Sequence, residues 1–575
     1  MSYSKFHYFE KALDVVGCKH SSSECEFTVF SFSYLTYSLK KANAEFSNTV
    51  IEGIKILKKK DSISDFLKTH LHEYFDLSLA PFEKVPYEEL EEYLFSFVQL
   101  KGNKEGNCSK FAPTPWEICN FGCQLLEPKE TDSFADFCFG AGNFTFNLLS
   151  NYDVASVIGY ELNYEMEVIG EMIADAHGYD ITIKVQDILE NEPKIKVLKL
   201  FCDCPFNLRI SPSVVNKFYE TCGFEIKKVR SEHIFIKRAL DSLDENGTAV
   251  IFVPLGILFD NSGFTKYLTE NGYIKAIIQL GANLLPHTSI PFAMLVLSFH
   301  NEKIKIVNGS EVITKSRWKN VLSVDNIATL MAAYYEDSDI SKTVSINEVR
   351  EKDYNLNPCH YFYEQKIAIT EPCEYVPLGE LCTRQIGRGV QYKSSELDEN
   401  STILPTNNYY LSLNNIVNNE IVSELPNLVE IEDKHDNYCL EDGDLLLAAV
   451  FSSPLKVAIA KNISNKKIIV SSNVYIIRLD KERILPEYLK ALLETDMALK
   501  VFSLFTKSSA SSIAPITSEF LNGLKIPVLP LEKQKELISE YLEIDSKIKL
   551  LRESLEVMSE KKSSIFNGLI GGINA

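Results

Sequence analysis

Two glycines and several acidic side chains close successive apolar runs of this sequence, the positions from which α/β proteins usually act on ligands. In "DFCFGAGNF" an apolar run opens into Gly140-Ala141-Gly142 and continues as a helix-compatible segment. Glycine at such a turn permits positive φ and lets backbone N–H groups come close to a ligand. Glu161 ends the next run, "VIGYEL", about twenty residues on, where an acid can accept both hydroxyls of a ribose. Asp187 ends the third, "VQDIL", where a carboxylate can meet an adenine amino group. A further run closes in Asp203-Cys204-Pro205-Phe206, either the plain end of a buried strand or a catalytic loop.

These spacings also discriminate between nucleoside ligands. A dinucleotide site usually continues to a third glycine, but Thr145 and Phe146 stand there instead. A pyrophosphate is therefore poorly served. S-adenosylmethionine carries no phosphate, and its positive sulfonium suits an acidic pocket.

The elements that must position these residues follow from hydrophobic patterning. Residues 1 to 105 read as helical, with apolar spacings of three and four in "VIEGIKILKKKDSISDFLKTHLHEYF". Between residues 110 and 300 short apolar runs alternate with helical stretches, which predicts a parallel α/β sheet wound on both faces. The last two runs, in "IKAIIQLGANLLPHTSIPFAMLVLSFH", are joined without a helix. A connector follows to residue 372, then a β-rich stretch from Val376 to Pro530. From Leu531 the positions Leu537, Tyr541, Ile544, Ile548, Leu551, Leu555 and Met558 step alternately by four and three, the seam of a coiled coil.

Bulk properties narrow the function classes. At 575 residues the chain is too long for one core. Its 13 cysteines lack metal-ligand spacing, so reduced cytoplasmic thiols and no metal are expected. A net charge of −20 argues against indiscriminate nucleic-acid binding. Two acid-free islands are nevertheless candidates for a local phosphate track: Leu381 to Ser395 with Arg384, Arg388 and Lys393, and Leu445 to Leu479 with Lys456, Lys461, Lys466, Lys467 and Arg478.

In their order these motifs resemble the adenine-N6 DNA methyltransferases of type I restriction-modification systems, the modification-subunit family. "SKFAPTP" resembles that family's G-x-[FY]-[FY]-T-P segment at Thr114 and Pro115, and "DFCFGAGNF" its D-P-x-C-G-S-G-x-F motif at Asp136, Gly140, Gly142 and Phe144. "CDCPF" stands where the family has [NDS]-P-P-[YF], with Cys204 replacing the first proline. "AVIFVPLGILFDNSG", "IKAIIQLGANLLPHTSIPFAMLVL" and "DYNLNPCHYF" follow the family's later segments. Beyond them, "YVPLGELC", "EDGDLLLA", "VSSNVYIIRLD" and "LNGLKIPVLPLEKQKELISEYL" resemble half of a type I specificity subunit.

The resemblance implies an α/β fold in four parts. These are a helical N-terminal domain (1–105), an AdoMet-dependent, Rossmann-like methyltransferase domain with its connector (106–372), a β-rich α+β target-recognition domain (373–530) and a C-terminal coiled-coil helix (531–575). It implies S-adenosylmethionine held by Thr114, Asp136, Gly140, Gly142, Glu161 and Asp187. A target adenine would be flipped out of double-stranded DNA, its amino group bonded by Asp203 and the Pro205 carbonyl, its ring stacked on Phe206. Cys204 costs the loop some rigidity but removes no hydrogen-bonding group. Gln391, Lys393, Asn407, Asn408 and Ser508 to Ser512 are further candidate DNA contacts.

One recognition domain and one helix imply a half-site reader that pairs through the helix, a homodimer reading a symmetric two-part site. A nuclease would need an acid and a [DEQ]-x-K pair on a strand. Gln99 and Lys101 offer the pair but sit in a helical stretch, and no GxxxxGK[ST] occurs, so cleavage is left to a separate restriction subunit. The alternative is a catalytically silent, methyltransferase-like DNA-binding scaffold of a restriction or phage-defence system.

Overall fold

The computed structural model describes residues 6–18, 26–101, 113–260, 262–285, 288–317, 319–362, 365–391, 397–398, 407–422, 424–428, 431, 433–461, 463, 466–506 and 515–567. The chain divides into two compact units, Met1–Phe362 and Tyr363–Ala575.

The first unit is built on a nine-stranded sheet: β1 (Ser133–Asp136), β2 (Ser156–Glu161), β3 (Thr182–Val185), β4 (Val197–Cys202), β5 (Leu243–Pro254), β6 (Ile274–Leu280), β7 (Phe292–Leu297), β8 (Lys303–Gly309) and β9 (Ser341–Ser345). Their spatial order is β3-β2-β1-β4-β5-β7-β6-β8-β9. Pairing is parallel from β3 through β5, and β7 lies antiparallel between β5 and β6. That reversal is the expected consequence of joining β6 to β7 without a helix. Alternate residues serve opposite faces: Ala135, Leu200 and Ile251 enter one core, and Phe134, Phe201 and Val250 the other. Burial on both faces explains why the strands read as near-continuous apolar runs.

Two features differ from the sequence reading. The stretch taken as a connector adds β8 and β9 to the sheet edge. Lysines concealed this strand signal, since Lys305 is buried and its charge is met by Asp337 at 2.6 Å. The N-terminal helices (His7–Val15, Glu26–Lys41, Val50–Leu57, Asp61–Leu71 and Tyr87–Lys101) also share one hydrophobic core with Phe139, Phe146 and the helix Tyr164–His177. Gln99 and Lys101 fall within the last of these helices.

In the second unit two four-stranded sheets form the body. The antiparallel pair Glu374–Pro377 and Lys525–Val528 joins its start to its end, with Val376 opposite Ile526. The helix Leu531–Asn567 then runs 37 residues, about 55 Å. Its base is fixed by buried Gln534, which accepts from the Leu485 amide at 2.9 Å and donates to the Leu529 carbonyl at 2.7 Å. No helix among the described residues is long and apolar enough to cross a membrane.

Candidate active site

The strand order places the site. The chain leaves β1 for β2 on one side and later returns to β4 on the other, so a crevice opens beyond the carboxyl ends of β1 and β4. The glycine turn follows β1 and the Asp203 loop follows β4, one on each side of that crevice.

In the glycine turn, Gly140 and Gly142 hold φ of 57° and 91°, and Gly142 caps the helix Asn143–Asn151. The Gly140 amide donates to Glu161 Oε2 at 2.7 Å. Phe139, which stands where the family motif carries a small residue, is buried rather than disruptive. Its ring lies against Gly142, Gly159 and Gly170, where an added Cβ would come within 2.7 Å at Gly142, 2.5 Å at Gly159 and closer still at Gly170. Three glycines thus make room for the ring.

Acids line the crevice. Asp136 is buried at the end of β1, accepting from Thr145 Oγ1 at 2.9 Å and the Cys138 amide at 3.3 Å. Burial pushes its carboxyl up to about 7, and the charges of Asp203 and Glu161 add to the rise. Asp203 is raised to about 6 by burial, offset in part by the Thr114 hydroxyl that donates to its Oδ2. Thr114 accepts at its carbonyl from Asn143 Nδ2 at 3.0 Å, so one residue ties the loop to the helix beyond the glycine turn. The second Glu161 oxygen accepts from the Leu162 and Asn163 amides at 2.9 and 2.8 Å. Asp187 is half-buried and caps its own turn through the Leu189 amide at 2.8 Å. Beside these acids, Leu162 is 67% exposed and Val185 50%, apolar surface for a planar ligand to cover.

In the Asp203 loop a side-chain bond stands at the place of the motif's first proline. The Cys204 thiol is buried and donates to the Phe252 carbonyl of β5 at 3.2 Å. Pro205 is exposed, and Phe206 is half-buried beside Phe292, ring centroids 6.4 Å apart.

Three cations of the second basic island are paired with acids. Arg478 is gripped by Asp444 at 2.8 Å and by Glu441, Lys467 pairs with Asp436 at 3.2 Å, and Lys461 with Glu487 at 3.2 Å. Acids distant in sequence have come alongside, so an acid-free run is not an acid-free surface. Arg388 is exposed, lies 4.9 Å over the Tyr475 ring and donates to the Ile516 carbonyl. Lys466 is exposed over Tyr409 at 5.2 Å, while Arg384 and Lys456 are half-buried. Gln391 accepts from the Ser472 hydroxyl, Asn408 begins the strand Asn408–Leu411, and the Asn407 carbonyl accepts from the Lys467 amide. Lys393 and Ser508 to Ser512 lie outside the described residues.

Residues 88–369 match the family model described as N-6 DNA methylase, and residues 370–557 that of the type I restriction modification DNA specificity domain. The chain joins an N-6 DNA methylase domain to a type I specificity domain. Among curated relatives, it is 30% identical over 152 residues to the type I restriction enzyme MpnII methylase subunit of Mycoplasma pneumoniae, covering 25% of this chain and 28% of that one. It is 25% identical over 345 residues to the MjaVIII methylase subunit of Methanocaldococcus jannaschii, covering 53% and 57%. The chain thus spans between 28% and 57% of the length of these curated relatives. Among solved structures it is similar to a type I methyltransferase subunit from Streptococcus thermophilus, with 17% identity, a TM-score of 0.48, and 62% of this chain and 98% of that one covered.

Within the methylase domain the tertiary structure brings Thr114, Asp136, Gly140, Glu161 and Asp203 into one connected group. Sequence reasoning missed Thr145, which holds Asp136, and Leu162, whose apolar side chain directly after an acid in "YELN" was the available signal.

Proposed function

We propose that the chain is a sequence-specific DNA methyltransferase that uses S-adenosylmethionine to methylate adenine N6 in double-stranded DNA. The observation that carries this reading is the placement of Asp203, bonded to Thr114 and electrostatically coupled to Asp136, across the crevice from the glycine turn. Several residues suit the cofactor: positive-φ Gly140 adds no side chain to the turn, and exposed Leu162 gives a face for the ring. Glu161 keeps one acceptor position on Oε2 for a ribose hydroxyl beside its three amide bonds, and Asp187 offers Oδ2 for an adenine amino group. S-adenosylmethionine supplies an electrophilic methyl group on a positive sulfonium.

The protein's own contribution is orientation and electrostatics. Thr114 occupies Asp203 Oδ2, and among the described residues Oδ1 has no donor, so Oδ1 meets the adenine amino group. The Pro205 carbonyl takes the second amino proton, and the nitrogen lone pair is thereby aimed at the methyl carbon. As the N–C bond forms and the S–C bond breaks, the nitrogen sheds one proton, which the Asp203 carboxylate is placed to take. Phe206 stacks on the extruded base, a contact worth roughly 1–3 kcal/mol.

The specificity domain selects the site through base-edge contacts, with Arg388 and Lys466 as exposed cations for phosphates. On the C-terminal helix Leu537, Ile544, Ile548, Leu551, Leu555 and Met558 are 37–70% exposed, and a second copy of this helix would cover them. A homodimer then reads a symmetric two-part sequence, and a separate restriction subunit supplies any cleavage. Single-molecule sequencing of genomic DNA from cells expressing the chain tests this: N6-methyladenine at one two-part motif is expected, and the paired substitutions Leu551→Glu and Leu555→Glu should yield a monomer that loses it. Cofactor binding with no methylated motif would favour a silent scaffold instead.

A pH dependence follows from the acids. Both folded-state values lie above the ordinary carboxylate value of about 4, so ionising Asp136 and Asp203 costs the fold stability. Their contribution to stability is fullest below about pH 4 and declines as the pH rises to about 7. A bound sulfonium cation favours the ionised forms, so its binding releases protons. Affinity for S-adenosylmethionine is expected to rise from about pH 6 to about pH 8, by up to roughly tenfold for each coupled proton, and affinity for uncharged-sulfur S-adenosylhomocysteine much less. Calorimetry with both ligands checks this; equal slopes would sink it.

A further inference from the structure

The Asp203 loop is held from both sides, and the holder on its far side comes from a helix that no motif singled out. After Phe206 the chain turns through Asn207, whose φ of 54° is uncommon for a residue other than glycine. Two consecutive amides there point at the start of the helix Ser231–Ser242. The Asn207 amide donates to Glu232 Oε1 at 2.7 Å, and the Leu208 amide to Ser231 Oγ at 3.1 Å. The Ser231 hydroxyl in turn donates to Glu232 Oε2 at 3.2 Å. Both carboxylate oxygens are therefore committed to the loop, one directly and one through Ser231.

This anchor is built into the core. Glu232 and His233 are 0% exposed and Ser231 1%. His233 Nε2 lies 3.1 Å from Asp260 Oδ2, and its Nδ1 accepts from the Arg230 amide at 3.2 Å, which fixes the first turn of the helix. Beyond that turn Ile234, Ile236, Ala239 and Leu240 sink into the same core as β4 and β5. An acid in a first turn is favoured by the helix dipole, and the cost of burying a carboxylate with no exposure is offset here by hydrogen bonds to both of its oxygens.

We propose, resting on the methyl-transfer reading, that Glu232 is a positioning residue for the reaction: with Ser231 it clamps the Asn207 and Leu208 amides and so fixes Pro205 and Phe206 at the target base. A proline at position 204 would have stiffened the loop through its own backbone. Here Cys204 hooks one side to Phe252, and Glu232 secures the other.

The test uses the full chain with Glu232→Ala, Glu232→Gln and Ser231→Ala, read by amide exchange over residues 203–210, by calorimetry with S-adenosylmethionine, and by steady-state methyl transfer to unmethylated genomic DNA. Glu232→Ala is expected to speed exchange at Asn207 and Leu208 at least tenfold and to lower kcat by about 10–100-fold, with cofactor affinity within about twofold. Ser231→Ala should loosen Leu208 alone, and Glu232→Gln, which keeps an acceptor for Asn207, should recover most of kcat. Unchanged exchange at Asn207 in Glu232→Ala, or a kcat loss that Glu232→Gln does not relieve, would overturn the proposal. Should Glu232→Ala fail to fold, Ser231→Ala carries the same decision through Leu208 exchange and kcat. A wild-type chain that binds cofactor but transfers no methyl group overturns the methyl-transfer reading itself, an outcome distinct from an active wild type whose loop ignores Glu232.

Discussion

Asp203→Ala is expected to reduce methyl transfer to DNA by about 10³-fold or more, while S-adenosylmethionine affinity falls by no more than about tenfold, the share its charge contributes to holding the sulfonium. The two effects separate because Asp203 belongs to the β4 loop, whereas the glycine turn, Glu161 and Asp187 belong to β1, β2 and β3. Alanine removes the acceptor that aims the amine and the group that takes its proton. It also strips the partner from the Thr114 hydroxyl, which is only 9% exposed, at a cost of about 1–3 kcal/mol. Asp203→Asn is the control for that cost, since its amide oxygen can still accept from Thr114. Transfer of a labelled methyl group with calorimetry on the same preparation decides it. An Asp203→Ala protein retaining a tenth of wild-type turnover would remove Asp203 from the chemistry.

Gly142→Ala is expected to lower the stability of the methylase domain by about 2–5 kcal/mol and to abolish cofactor binding. Placing an L-residue at φ 91° costs roughly 1–2 kcal/mol, and overpacking a filled core roughly 1–3 more. The added methyl would lie within 2.7 Å of the Phe139 ring, with Phe146 nearer still, and both rings are buried. Gly178 supplies the comparison, because it has φ 74° but nothing within 4 Å of an added Cβ. Gly178→Ala should therefore show the backbone cost alone and leave binding intact. If denaturation finds the two variants equally destabilised, the packing account of the Phe139 pocket is wrong.

Phe139 and Cys204 show how far local departures from a motif can mislead. Read along the chain, each replaces a residue suited to its turn. In space Phe139 is housed by Gly142, Gly159 and Gly170, two of which stand on other elements, and Cys204 gains a bond to a β5 carbonyl. The compensating residues lie far off in sequence, so no local pattern announced them. The basic islands err in the opposite direction. Their lysines and arginines are real, but Asp436, Glu441, Asp444 and Glu487 approach Lys467, Arg478 and Lys461 only after folding.

What the sequence by itself determined was the part governed by short-range periodicity and backbone chemistry. Alternating apolar runs specified the sheet, glycines the turn, and the four-three apolar spacing the long C-terminal helix. Tertiary structure alone decided which acids face one another, which cations remain free, and what holds the Asp203 loop. The reason is physical: burial, desolvation and charge pairing depend on distances in space, and residues such as Thr114, Asp203 and Glu232 become neighbours only when the strands are laid side by side.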